Sequence, residues 1–192
     1  MQLNTLEELY VNELKDLYNA ENQILKALPK LIKAASHAQL KEAFRTHERQ
    51  TREHVARLDR ISQDLGKKLK GKKCVGMEGL IKEGAELISE KPDPDVLDAG
   101  LIAKAQHVEH YEMAGYGTCR TYAQQLGYDK QAALLQQSLN EEGETDKLLT
   151  SLAESSINIE AEYAGERETT TRARGFERPL RRETGETART FR

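Results

Sequence analysis

The chain has 192 residues, enough for one domain and a tail but tight for two full domains. It is 38% hydrophobic, 32% charged and 5% aromatic without tryptophan, and Leu, Ala, Glu, Lys and Gln dominate, a mixture that favours helices burying one stripe each. The net charge of −3 hides a split, since residues 167–192 carry +4 and leave −7 on residues 1–166, and no apolar run approaches the roughly 20 residues of a membrane span.

The opening Met1-Gln2-Leu3-Asn4 has neither the basic nor the apolar region of a secretory signal. The first helix starts at Asn4-Thr5, where Thr5 and Glu8 form an S/T-x-x-E capping box. Its apolar face runs through Tyr10, Leu14, Leu17, Glu21, Ile24, Leu25, Leu28, Leu31 and Ile32, with a kink expected at Pro29. A turn near Ser36-His37 leads to the cleanest heptad stripe in the sequence: Leu40, Phe44, His47, Thr51, His54, Leu58, Ile61 and Leu65. Gly66 is a good stop for this second helix.

Residues 67–95 break the pattern. The run Lys67-Lys68-Leu69-Lys70-Gly71-Lys72-Lys73 reads as a solvated loop, and without interleaved aromatics it gives no sign of specific nucleic-acid binding. A short helix from about Met77 to Glu90 follows, ended by Pro92-Asp93-Pro94-Asp95. The third long helix, capped by Asp95, runs to Gly127 with Leu97, Leu101, Ala105, Val108, Glu112, Gly115, Cys119 and Tyr122 on its core face. Gly115 and Gly117, costly in mid-helix, indicate close helix approach. The fourth, capped by Asp129, runs to about Ile157 through Leu135, Leu139, Glu142, Thr145 or Asp146, Leu149 and Leu152.

Two short loops around one long connection give an all-α, ferritin-like antiparallel four-helix bundle whose single crossover carries a short extra helix. The bundle is expected over residues 1–159. Residues 160–192 form a charged, Arg-rich tail, disordered by composition unless it binds an acidic partner. Cys74 and Cys119 make no C-x-x-C pair, so a reduced cytoplasmic setting is expected, with Cys119 a small buried core residue.

The polar residues on the core stripes need an explanation, because a lone buried carboxylate costs several kcal/mol unless paired, protonated or metal-bound. In an antiparallel hairpin, residues equally far from the turn share a level. Glu21 is thereby level with Thr51–His54, and Glu112 with Glu142–Asp146. A dimetal carboxylate site takes one Glu from each of two helices and a Glu-x-x-His pair from each of the other two. Here the second helix offers Thr51-x-x-His54 and the fourth Glu142-x-x-Thr145, with Asp146 alongside. The expected ligands are therefore Glu21, His54, Glu112, Glu142 and Asp146. His47 and Glu109, one turn from Thr51 and Glu112, either fill the gaps or bond to the ligands from outside. Oxygen and imidazole donors suit two iron or manganese ions. The rival reading is a degenerate site held by buried hydrogen bonds without metal. Tyr18 and Tyr116 stand one turn from Glu21 and Glu112, as radical or hydrogen-bonding partners or as plain buried rings. His107 and His110 flank the core face of the third long helix and are expected at the surface or at an interface.

The stretches Leu17-Tyr18-Asn19-Ala20-Glu21, Val108-Glu109-His110-Tyr111-Glu112-Met113-Ala114-Gly115-Tyr116-Gly117 and Glu141-Glu142-Gly143-Glu144-Thr145-Asp146 resemble the YciE/YciF family of bacterial ferritin-like stress proteins. The resemblance covers about residues 3–157. It implies a homodimeric bundle related to rubrerythrin, with a dimetal site and a role in stress or iron handling. Three functions are in play: oxidation of Fe²⁺ by O₂ or peroxide, a non-catalytic interaction module, and manganese catalase-like disproportionation of peroxide.

Overall fold

The structure is a computed structural model that describes residues 3–165; the Arg-rich segment from 166 onward lies outside the described residues. Its elements are α1 (Leu6–Ala34), α2 (Ala38–Leu65), α3 (Val75–Ser89), α4 (Pro94–Gln125) and α5 (Asp129–Leu152), followed by one π-helical turn, Ala153–Ile157. Helix continues over 158–165, past the end expected near 157, and Ala164 is buried. No helix among the described residues is long and apolar enough to cross a membrane.

Local signals in the sequence set most boundaries. Thr5 accepts from the Glu8 amide while Glu8 accepts from the Thr5 amide, closing the capping box. Gly66 ends α2 at φ +60°, a left-handed conformation that glycine adopts without penalty. Two caps differ from expectation. Asp93 rather than Asp95 caps α4, because Pro94 already holds the φ of a first helical position and lacks the amide that would need a partner. Asp129 is the first residue of α5 rather than its cap, and its charge lies at the positive end of the helix dipole. Pro29 lies inside α1 without ending it.

Around the bundle, α1 packs on α2 and α4, and α5 packs on α2 and α4, while α3 lies against α1 and α4. Neighbours run antiparallel: Ser36 meets Asp98 and Asp16 meets Tyr111 across α1 and α4, while Arg57 meets Ser138 and Gln50 meets Thr145 across α2 and α5. Gly115 allows α4 to close on α1, since a Cβ there would stand 2.7 Å from Leu17 Cδ2. The α1–α2 turn is fastened by the buried Asp98, whose carboxylate accepts from the Ser36 amide (2.8 Å), the Ser36 hydroxyl (2.6 Å) and the His37 amide (2.7 Å).

The apolar interior is in two parts. One, near the α1–α2 turn, gathers Ile24, Leu28, Leu40, Phe44, Leu101 and Leu149. The other, at the far end, gathers Tyr10, Leu14, Leu58, Ile61, Tyr116 and Leu135. Between them lies a layer of buried polar side chains from all four bundle helices.

Candidate metal centre

The polar layer holds Glu21 from α1, His47 and His54 from α2, Glu109 and Glu112 from α4, and Glu142 from α5. None is more than 3% exposed. Heptad spacing on α2 places His47 and His54 on one face two turns apart, and the i, i+3 pair Glu109–Glu112 does the same on α4. Two groups of potential ligand atoms result, each within 4.8 Å of one another: Glu21, His54 and Glu142 in one, His47, Glu109, Glu112 and Glu142 in the other. Glu142 belongs to both.

The distances make this concrete. His54 Nδ1 stands 2.9 Å from Glu142 Oε1 and 3.3 Å from Glu21 Oε1. His47 Nε2 is 3.4 Å from Glu109 Oε1, and its Nδ1 is 3.8 Å from Glu142 Oε2. Both oxygens of Glu112 are buried without a well-directed hydrogen-bond partner, as are Glu21 Oε2 and Glu109 Oε2, while Glu142 and His47 have only the carboxylate–imidazole contacts just given. Native interiors rarely leave so many polar atoms unmet, and each is a donor that a cation can satisfy. Oxygen and imidazole donors in two groups that share one carboxylate could hold a metal ion.

The electrostatics follow from burial and crowding. Burial, with the charges of Glu142 and Glu21 nearby, pushes the Glu112 carboxyl well above its ordinary range; burial and Glu142 do the same to Glu109. Burial would raise Glu142 too, but its bond to His54 and the charges of both histidines bring it down. His54 is disfavoured as a cation by burial, yet Glu21 and Glu142 outweigh this and raise its pKa to about 11. His47 goes the other way, lowered by burial.

A support surrounds the ligands. Arg57 grips Glu141 with two hydrogen bonds of 2.7 Å, and Glu141 Oε2 lies 2.7 Å from His54 Nε2. That contact turns His54 Nδ1 toward Glu21 and Glu142, the carboxylate–histidine arrangement that fixes ring orientation in metal sites. The Tyr116 hydroxyl donates to Glu21 Oε1, and its ring meets His54 edge-on at 5.8 Å. Burial and the charge of Glu21 keep this phenol protonated and hence a donor.

Of the seven residues singled out from sequence, Glu21, His47, His54, Glu109, Glu112 and Glu142 are brought together. Asp146 is not. Thr145 takes the core position on α5, and Asp146, one residue on, turns outward to Gln106 (3.0 Å) and the exposed His110 (3.2 Å). Tyr18 likewise faces Asp59 rather than the layer. Glu109 takes the fully buried position on α4 where Val108 was expected; both fit the three-and-four stepping between Ala105 and Glu112, and Val108 is left partly buried against the apolar core. Sequence reasoning passed over Glu141 and Arg57. The signal was their opposite charges at one level of the α2–α5 pair, beside His54 and Glu142.

Comparison with known proteins agrees with this architecture. A family model described as "Domain of unknown function (DUF892)" matches residues 5–162. Protein YciF of Escherichia coli K12 is 45% identical over 163 residues, 84% of this chain and 98% of that protein. The crystal structure of the E. coli stress protein YciF superposes with a TM-score of 0.78 over 81% of this chain and 99% of its own. YcfI from Rhodopseudomonas palustris is 42% identical, with a TM-score of 0.75 over 78% and 95%. A protein from Xanthomonas campestris, 18% identical, shares the fold with a TM-score of 0.65 over 86% and 99%. By this identity over nearly the whole of YciF and the match to residues 5–162, the chain belongs to the YciE/YciF family.

Proposed function

We propose that this protein is a ferritin-like dimetal-carboxylate protein that binds Fe²⁺ in its buried polar layer and oxidises it with O₂ or peroxide in stress protection. One observation carries the reading. Four carboxylates and two imidazoles meet in one buried layer, Glu142 is common to both groups, and Glu21 Oε2, Glu109 Oε2 and both oxygens of Glu112 have no well-directed hydrogen-bond partner and no ion-pair partner in the protein. Crowding that many acids without a cation is unfavourable on both desolvation and repulsion; two divalent ions would offset both. The stress role is carried over from the YciF relative, whose structure is described as that of a stress protein.

Glu21, His54, Glu142, His47, Glu109 and Glu112 would hold the metal, which would supply one electron per Fe²⁺ for the two-electron, two-proton reduction of dioxygen to hydrogen peroxide. The protein's residues do the rest. Glu142 spans the two groups. Glu141, held by Arg57, keeps His54 aimed inward. Tyr116 fixes one oxygen of Glu21 by donating to it. The two apolar clusters keep the layer dry, which strengthens every ionic contact inside it. The same donors suit manganese, so Mn²⁺ with peroxide belongs in the same test.

The test is metal analysis of protein purified without chelator, then anaerobic addition of Fe²⁺ and mixing with O₂ or H₂O₂ while the rise of Fe³⁺ absorbance is followed. Two ions per chain and saturable oxidation are expected. A protein that takes up neither Fe²⁺ nor Mn²⁺ and gains no thermal stability from them would be the non-catalytic interaction module instead.

A further inference from the structure

One side of the polar layer is open to a cavity that the ligand set does not explain. It has a volume of about 50 Å³. Its walls are Ile24 and Leu28 of α1, Phe44 of α2, Leu80 and Ile81 of α3, and Val108 of α4. Two polar residues reach its lining from the layer, His47 and Glu109, and a third, Lys104, is engaged by Glu83 at 2.9 Å. The cavity continues outward: Ala27, Leu31 and Ile81 also line a wider groove of about 220 Å³ between α1 and α3.

We infer that this cavity receives dioxygen and delivers it to the His47–Glu109 side of the centre, with α3 as its outer wall. The inference rests on the function proposed above and narrows its oxidant to O₂. A water site needs roughly 10–15 Å³ and two to four polar partners. This cavity has the room, but His47, Glu109 and Lys104 contribute only a small part of a lining that is otherwise apolar. Cavities walled by Leu, Ile and Phe take up apolar guests such as xenon. Hydrogen peroxide and hydrated Fe²⁺ would each leave hydrogen bonds unmet on entering, whereas dioxygen has none to lose. The arrangement also gives the long crossover a task, since without α3 the cavity would have no outer side.

Two positions permit a plug without disturbing the ligands. Gly84 of α3 lines the cavity, and a Cβ there would meet only Lys104 Cβ at 3.9 Å, so Gly84→Leu has space for its first carbon and replaces a poor helix former. Ala27→Leu fills the same space from α1. The experiment has two readouts on the full chain. Xenon-pressurised crystals of the metal-free protein should show xenon in the wild-type cavity and none in Gly84→Leu. Stopped-flow oxidation of Fe²⁺ should slow several-fold with O₂ in both variants, while the rate with H₂O₂ and the anaerobic affinity for Fe²⁺ stay within twofold of wild type. No xenon in the wild type overturns the cavity whatever the iron chemistry. Equal slowing with both oxidants, or no slowing with O₂, overturns the delivery route. Xenon in the cavity of a protein that oxidises Fe²⁺ with neither oxidant removes the delivery route because it removes the function on which it rests.

Discussion

Glu141 Oε2 lies 2.7 Å from His54 Nε2, and Arg57 holds that carboxylate in place with two further bonds of 2.7 Å. The contact decides what His54 can do. With Nε2 occupied, only Nδ1 is left for the interior, where Glu21 and Glu142 wait at 3.3 and 2.9 Å. Glu141→Gln should leave the helix pair intact but loosen the ring and reduce its basicity. The expected loss in Fe²⁺ or Mn²⁺ affinity is about 10- to 100-fold, the usual effect of removing a partner of a metal-bound histidine. Competition titration against a chelator of known strength measures it. Unchanged affinity would mean that His54 is not a ligand.

The same cluster sets a pH dependence. Metal must displace the protons that burial and crowding put on Glu109 and Glu112, and the one held on His54 with a pKa of about 11. Metal affinity should therefore rise with pH, with log K gaining about one unit per pH unit for each proton displaced. Metal-free stability should move the opposite way at high pH. The raised carboxyls of Glu109 and Glu112 contribute stability that is complete below the ordinary carboxyl range and is lost as pH rises through their raised values. His54 contributes stability that is complete below its ordinary value of 6.5 and is lost as pH rises through about 11. Glu142, lowered, contributes above its ordinary value of 4.5 and loses that as pH falls through its lowered one. Melting curves with and without Mn²⁺ across pH 5 to 9 should thus diverge, the metal-induced gain widening upward. A gain that shrank with pH would contradict the assignment.

Much of this was legible in the sequence, and the reasons are physical. The α2 stripe from Leu40 to Leu65 shows because it is a strict heptad with two histidines standing where apolar residues belong. The pairing of Glu21 with His54 and of Glu112 with Glu142 followed from counting outward from two tight turns. What stayed hidden depends on one-residue choices that periodicity does not resolve. Helix α4 has Val108 and Glu109 side by side near the core, and only packing decides that the acid turns inward. Thr145 and Asp146 present the same ambiguity on α5, resolved against the acid. With His47 and Glu109 inside, the layer regains four glutamates and two histidines, the full dimetal complement in a different arrangement along the helices. Asp98 gave no signal either, because its partners are backbone amides 61 and 62 residues away.

That Asp98 contact is open to test by itself. Its carboxylate takes two amides and a hydroxyl at the α1–α2 turn, all within 2.8 Å. Asp98→Ala removes three charge-assisted bonds but leaves donors at a partly exposed turn that water can reach. A loss of about 2–4 kcal/mol is expected, read as a lower urea midpoint with unchanged slope. Metal affinity should be nearly unaffected, since Asp98 lies well outside the polar layer. A loss below about 0.5 kcal/mol would show the turn to be held by other means.

Glu112→Gln separates a metal ligand from a structural anion. Glu112 is fully buried, and its oxygens meet no well-directed N–H or O–H donor, only the neighbouring carboxylate of Glu21, a contact that favours the protonated carboxyl. Nothing in the protein therefore depends on its charge, while Glu142, Glu21 and Glu109 all oppose that charge. Removing it should leave metal-free stability unchanged or slightly higher. The same substitution takes away one anionic donor from the group formed with His47, Glu109 and Glu142, so stabilisation by Fe²⁺ or Mn²⁺ should fall sharply and iron oxidation with it. A structural anion paired in the folded state behaves oppositely, since breaking a buried pair costs about 3–5 kcal/mol. Melting curves of wild type and Glu112→Gln, each with and without metal, give four numbers that decide between the two. A variant that melts far below wild type without metal, beside a wild type that gains nothing from either ion, would show that the polar layer serves the fold and holds no metal.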